Sequence, residues 1–112
     1  MEQAAKYLNE KYGEGRVKLT IKEQYKNMAE IICQYPETTE KAKAAIKAAG
    51  LEPEVIPVRG GTDGAMLSFM GLPCPNLGTG GHAFHGPFEH ITTEAMDKGT
   101  EIIVELVKEY AK

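Results

Sequence analysis

The chain has 112 residues, of which 42% are hydrophobic and 26% charged, a balance that argues for a small domain or part of a larger one and against disorder. Its net charge of −3 leaves no basic excess for nucleic acid, and no apolar run approaches the roughly 20 residues of a membrane span. The first residues lack a signal-peptide core, and Cys33 and Cys74 give no disulfide framework. We therefore expect a cytoplasmic protein without nucleic-acid or membrane partners.

The first third of the chain predicts a helix, a strand and a second helix. Apolar residues at helical spacing predict a helix that ends at Gly13, and the alternation in Arg16–Lys22 predicts a half-buried strand. Pro36 suits the first turn of a helix that continues to Gly50. The polar segment Glu23–Tyr35 lies between these elements, and we interpret it as the junction of two separately packed units.

The middle of the chain predicts shorter elements. Val55–Val58 is typical of a short strand. Thr62 or Asp63 suits the cap of a brief helix that stops at Gly71. The two prolines within Leu72–Leu77 favour a sheet edge or an irregular strand.

A last helix is predicted to begin at Thr92 or Thr93. Its apolar residues recur at helical spacing and form a stripe: Met96, Gly99, Ile103, Leu106 and Tyr110. Alternating helices and strands predict an α/β or α+β fold.

Residues that suit a functional site concentrate in one stretch. Eight of the 12 glycines lie between Gly60 and Gly86, and all three histidines (His82, His85 and His90) lie in or just after it. A mononuclear metal site of the three histidines is one interpretation, but an HxxH pair is weak evidence because zinc needs three or four ligands. Loop histidines without a ligand are the alternative.

Arg59–Gly64 is a second candidate. Paired glycines let a backbone approach a ligand closely, and a guanidinium pairs with carboxylates. The alternative is a simple strand-to-helix turn. Cys74 has no activating feature, so a structural thiol is favoured over a nucleophile there.

The segment Arg59–Glu89 (RGGTDGAMLSFMGLPCPNLGTGGHAFHGPFE) resembles the C-terminal signature of peptidase T, a family of tripeptide aminopeptidases among the dinuclear zinc metallopeptidases. The most specific blocks are RGGTDG, LSFMGLPCPN and HG-x-x-E. The block VKLTIKEQYKNM resembles the end of the family's inserted lid domain. Gly78 and Pro87 depart from the bulkier or charged residues expected at their positions.

The resemblance implies two zinc ions that share a water, a glutamate that takes the water's proton, and attack on the first peptide bond of a tripeptide. It implies that His85 is a zinc ligand and that Arg59, Gly60 and Gly61 belong to the substrate loop. Glu89 is then a partner of the histidine loop, and the pattern needs no metal ligand at His82 or His90.

Several parts of that site have no counterpart in the sequence. No H-x-D motif and no adjacent glutamates occur, so the general base and most ligands are absent, and no catalytic residue is assigned. The resemblance therefore predicts a C-terminal fragment of the enzyme. Residues 1–26 would be the last helix and strand of the lid or dimerisation domain, and residues 27–112 the end of the catalytic α/β domain.

We expect the isolated chain not to hydrolyse tripeptides. The alternative is a stand-alone, non-catalytic interaction module derived from the family, in which exposed apolar faces favour a homo-oligomer.

Overall fold

The computed structural model describes residues 1–112 and consists of five helices joined by long irregular segments. The helices are α1 (Glu2–Tyr12), α2 (Ala29–Ile32), α3 (Pro36–Ala48), α4 (Asp63–Phe69) and α5 (Thr93–Tyr110). The single β pairing is an isolated antiparallel bridge between His82 and His90. None of the helices combines the length and hydrophobicity needed to span a bilayer.

The predicted helices are confirmed, and their ends follow the expected signals. α1 ends at Gly13, whose φ of 103° favours glycine, and Pro36 occupies the first turn of α3. Thr62 caps α4 and Thr92 caps α5, and each hydroxyl accepts a backbone N–H at 3.2 Å. The short α2 was not predicted, because Glu23–Tyr35 carries no clear helical periodicity.

The three strand predictions are wrong for this chain. Arg16–Lys22, Val55–Val58 and Leu72–Leu77 have no regular secondary structure. Alternation makes a segment suitable for a sheet, but a strand also needs a neighbour to satisfy its backbone N–H and C=O groups. These segments do not pair with one another, and Val55 remains 72% exposed.

The main packing contact joins α3 and α5 in an antiparallel arrangement. Lys98 Nζ near the start of α5 donates to the carbonyl of Ala49 at the end of α3 (2.9 Å). At the opposite end, Lys41 Nζ lies 4.1 Å from the centre of the Tyr110 ring. Ala45 lies between these two points on the same face of α3 and is fully buried.

Burial elsewhere is sparse. The radius of gyration is 20.1 Å, against about 13 Å for a compact chain of this length. α1 contacts none of the other helices. The apolar side of α5 is wider than the face that α3 covers. It leaves five large side chains about half exposed or more: Met96, Ile103, Val104, Val107 and Tyr110. The predicted division at residues 26 and 27 remains a prediction.

We expect Ala45→Leu to destabilise the α3–α5 pair by about 1–3 kcal/mol, because the buried site has no room for three more carbons. Ala48→Leu on the exposed side of α3 is the matched control and should change stability by less than about 0.5 kcal/mol. Urea unfolding followed by helical circular dichroism measures both. Equal midpoints for the two variants would contradict the observed packing face.

Candidate functional site

Two loops carry the residues singled out from the sequence. The glycine loop (residues 59–62) leads into α4, and the histidine loop (residues 82–90) precedes α5. The structure shows what holds each loop and which of its side chains are free.

The glycine loop and α4 are held against the proline-rich segment 72–77. Ser68 Oγ donates to the carbonyl of Gly64 at 2.7 Å and accepts the backbone N–H of Cys74 at 3.0 Å. Asn76 Nδ2 donates to Thr62 Oγ1 at 3.1 Å. The proline-rich segment 72–77 is therefore fixed against α4 by side-chain hydrogen bonds rather than by sheet pairing.

Gly64 is the point of closest approach in this contact. A Cβ placed there would lie 2.6 Å from both the carbonyl oxygen of Cys74 and Oδ1 of Asn76. No side chain fits at that distance without moving the backbone.

The start of the glycine loop lies under an aromatic ring. Gly60 has a φ of 108°, and a Cβ at Gly61 would overlap the ring of Tyr25. Arg59 is exposed and forms no ion pair within the chain. Its guanidinium thus remains free for a carboxylate partner.

The histidine loop is closed at its base by the bridge. The N–H of His82 donates to the carbonyl of His90 at 2.8 Å, and the N–H of His90 donates back at 3.1 Å. Within the loop, Gly86 donates to the carbonyl of Ala83 at 3.2 Å. The segment just before the loop lies against α5, since a Cβ at Gly80 would lie 2.9 Å from that of Ala95.

His85 sits at the tip of this loop in a left-handed conformation. Its φ is 62°, and that of Ala83 is 55°, which is costly for residues other than glycine. The Glu89 carboxylate accepts the backbone N–H of His85 at 3.0 Å. Glu89 therefore partners the backbone of His85 and leaves the exposed imidazole unconstrained.

The donor set of this chain does not complete a metal site. No group of three or more His, Cys, Asp or Glu side chains lies close enough to hold an ion. The interpretation of His82, His85 and His90 as one mononuclear site is therefore not supported, since the three imidazoles do not converge. The expectation that His85 alone is a zinc ligand stays a prediction.

Sequence reasoning found Arg59, Gly60, Gly61 and His85 as candidates, and the structure places them on two separate loops. It missed the contact between Tyr25 and Gly61, which joins residues 36 positions apart and has no sequence signal. It also missed Ser68, whose hydroxyl fixes both α4 and the segment beyond it. Cys74 is half-buried beside that contact.

Comparison with known proteins identifies the class. Residues 7–109 match peptidase family M20/M25/M40, and the chain belongs to this family. Its peptidases are generally metal-dependent. An α/β fold accords with this membership, although the chain itself contributes mainly helices.

Particular relatives are named peptidase T. The chain is 56% identical over 94% of its length to peptidase T of Caldanaerobacter subterraneus subsp. tengcongensis and 54% identical over 96% to that of Clostridium perfringens. It is 49% identical over its whole length to peptidase T of Alkaliphilus oremlandii. The matches cover 26–27% of these relatives, so the chain spans about a quarter of their length.

We expect Gly64→Ala to destabilise α4 and its contacts by about 1–3 kcal/mol, because the new Cβ meets a backbone carbonyl. Gly99→Ala in α5 is the matched control, since nothing lies within 4 Å of its Cβ. That change should stabilise the helix by up to about 1 kcal/mol. Thermal unfolding compares the two, and a shift in the same direction for both would contradict the close approach at Gly64.

We expect Glu89→Ala to loosen the histidine loop, because the N–H of His85 loses its acceptor in a strained conformation. The amide of His85 should then exchange with solvent several-fold faster, measured by NMR. Glu89→Gln keeps an acceptor oxygen and should give an intermediate rate. An unchanged rate in Glu89→Ala would show that the carboxylate does not hold the loop.

Proposed function

We propose that this chain corresponds to the C-terminal part of a zinc-dependent aminopeptidase that releases the N-terminal residue of tripeptides. The observation that carries the proposal is the identity of 49–56% to relatives named peptidase T over nearly the whole chain. The share of those relatives covered, about a quarter, supports a role as one part of the site.

The sparse burial supports the same proposal. Segments with strand patterning lie unpaired, and part of the apolar face of α5 stays exposed beside α3. Such surfaces are expected where further parts of a larger α/β domain pack.

In this proposal His85 binds one zinc ion through a ring nitrogen. The neutral imidazole offers one lone pair. The hydrogen bond that Glu89 accepts from the backbone N–H of His85 holds the Cα of that residue in place. Zinc held there would supply Lewis-acid chemistry, which can polarise a carbonyl and lower the pKa of water. The resemblance places the proton acceptor in a pair of adjacent glutamates, and this sequence has no such pair.

Arg59 binds the substrate in this proposal. Its free guanidinium pairs with the terminal carboxylate of a short peptide, and such pairs are often bidentate. Gly60 and Gly61 let the peptide approach the backbone closely. A carboxylate at a fixed distance from the metal would favour short peptides over long ones.

Reconstitution tests the proposal. We expect the 112-residue protein with Zn²⁺ or Co²⁺ to release no amino acid from a tripeptide above background. Co-expression with the remaining N-terminal three-quarters of the Caldanaerobacter relative should restore release. His85→Asn should lower the reconstituted activity more than about 100-fold, since Asn tolerates the left-handed backbone but removes the imidazole.

Arg59 provides a second test in the reconstituted enzyme. Arg59→Ala should lower kcat/KM about 10–100-fold, mainly through KM, because a charge-assisted hydrogen bond is lost. Arg16→Ala is the matched control and should leave kcat/KM unchanged.

Hydrolysis of a tripeptide by the isolated 112-residue chain, lost on His85→Asn, would overturn the proposal that this chain supplies only part of the site.

The second candidate is a non-catalytic module that associates with copies of itself. The exposed apolar face of α5, with Ile103 58% and Val107 64% exposed, favours it. Analytical ultracentrifugation distinguishes the two. A stable oligomer that persists in the presence of the complementary chain, without restored hydrolysis, would favour the module.

A further inference from the structure

His82 and His90 face each other across the base of the histidine loop. The two residues exchange both backbone hydrogen bonds of the bridge, at 2.8 and 3.1 Å, which fixes their Cα positions as a cross-strand pair. Both side chains are exposed, and their rings stack with an interplanar angle of 26°. The two imidazoles are therefore held on one side of the bridge.

The tautomer of His90 is set by its neighbour. Nδ1 of His90 lies 2.7 Å from the carbonyl oxygen of Phe88. A carbonyl only accepts, so Nδ1 carries the proton and the lone pair of the neutral ring lies on Nε2. A backbone carbonyl bonded to the other ring nitrogen is the usual partner of a metal-binding histidine.

The spacing of the rings suits a shared ion. Two imidazoles that bind one metal tetrahedrally at about 2.0–2.1 Å have ring centres about 5 Å apart. The observed distance between the centroids of His82 and His90 is 5.4 Å. The ring planes differ by only 26°, so binding requires the ring of His82 to turn about its side-chain bonds, while the Phe88 carbonyl holds the ring of His90.

We propose that His82 and His90 form a two-imidazole site for a divalent transition metal, with Cu²⁺ preferred. Imidazole ligands suit Cu, Ni and Zn, and the affinity of nitrogen sites is highest for Cu²⁺. Water fills the remaining positions. The site excludes His85, and it does not depend on the proposed aminopeptidase function, since both ligands belong to this chain.

Binding there has a structural consequence. The two histidines are the first and last residues of the histidine loop, so a shared ion ties its ends together. An opened loop loses one ligand, and metal binding therefore favours the closed form.

Electron paramagnetic resonance with Cu²⁺ tests the proposal on the 112-residue protein. Cys33→Ser and Cys74→Ser are introduced throughout, so that thiols neither bind nor reduce the metal. One equivalent of Cu²⁺ should show two coordinated imidazoles. His82→Asn and His90→Asn should each leave one imidazole and weaken binding at least about tenfold in calorimetry, because chelation is lost.

His85→Asn is the matched control, since it removes a histidine from the same loop while Asn accepts the left-handed backbone. It should keep both coordinated imidazoles and the full affinity. A single imidazole in the unsubstituted chain would overturn the proposal. So would two imidazoles that persist without His82 or His90, or a loss of one on His85→Asn.

Discussion

The antiparallel contact between α3 and α5 is the interaction on which the second half of the structure depends. Small residues let the helices approach, with Ala45 and Ala49 buried between them. The start of α5 then supports the segment before the histidine loop, because Gly80 leaves room for Ala95. The position of the loop that carries His85 thus follows from the packing of two helices rather than from a sheet.

Helices were predictable and strands were not, for a physical reason. Pro36, Thr62 and Thr92 act on neighbouring backbone groups, so their effect is contained in the local sequence. The alternation in Arg16–Lys22 specifies only which side chains share a face, whereas pairing requires another strand. A sheet is a property of segments far apart, and this chain does not bring its candidate strands together.

The candidate site residues were named from the sequence and their roles stay predictions, whereas their geometry came from the structure. His85 and the loop at Arg59 followed from the resemblance to peptidase T, and the family membership agrees with it. The left-handed backbone of His85 had no sequence signal, because that conformation is normally reserved for glycine. Glu89 was expected to be a partner of His85, but its hydrogen bond with the backbone N–H of His85 is seen only in the structure.

The ring of Tyr25 lies against Gly61 and joins two regions of the chain. Tyr25 belongs to the polar segment that follows the first 22 residues, and Gly61 belongs to the glycine loop. Because Gly61 has no side chain, the ring lies directly against backbone atoms. A residue other than glycine at position 61 would therefore separate the two regions, because its Cβ would overlap the ring.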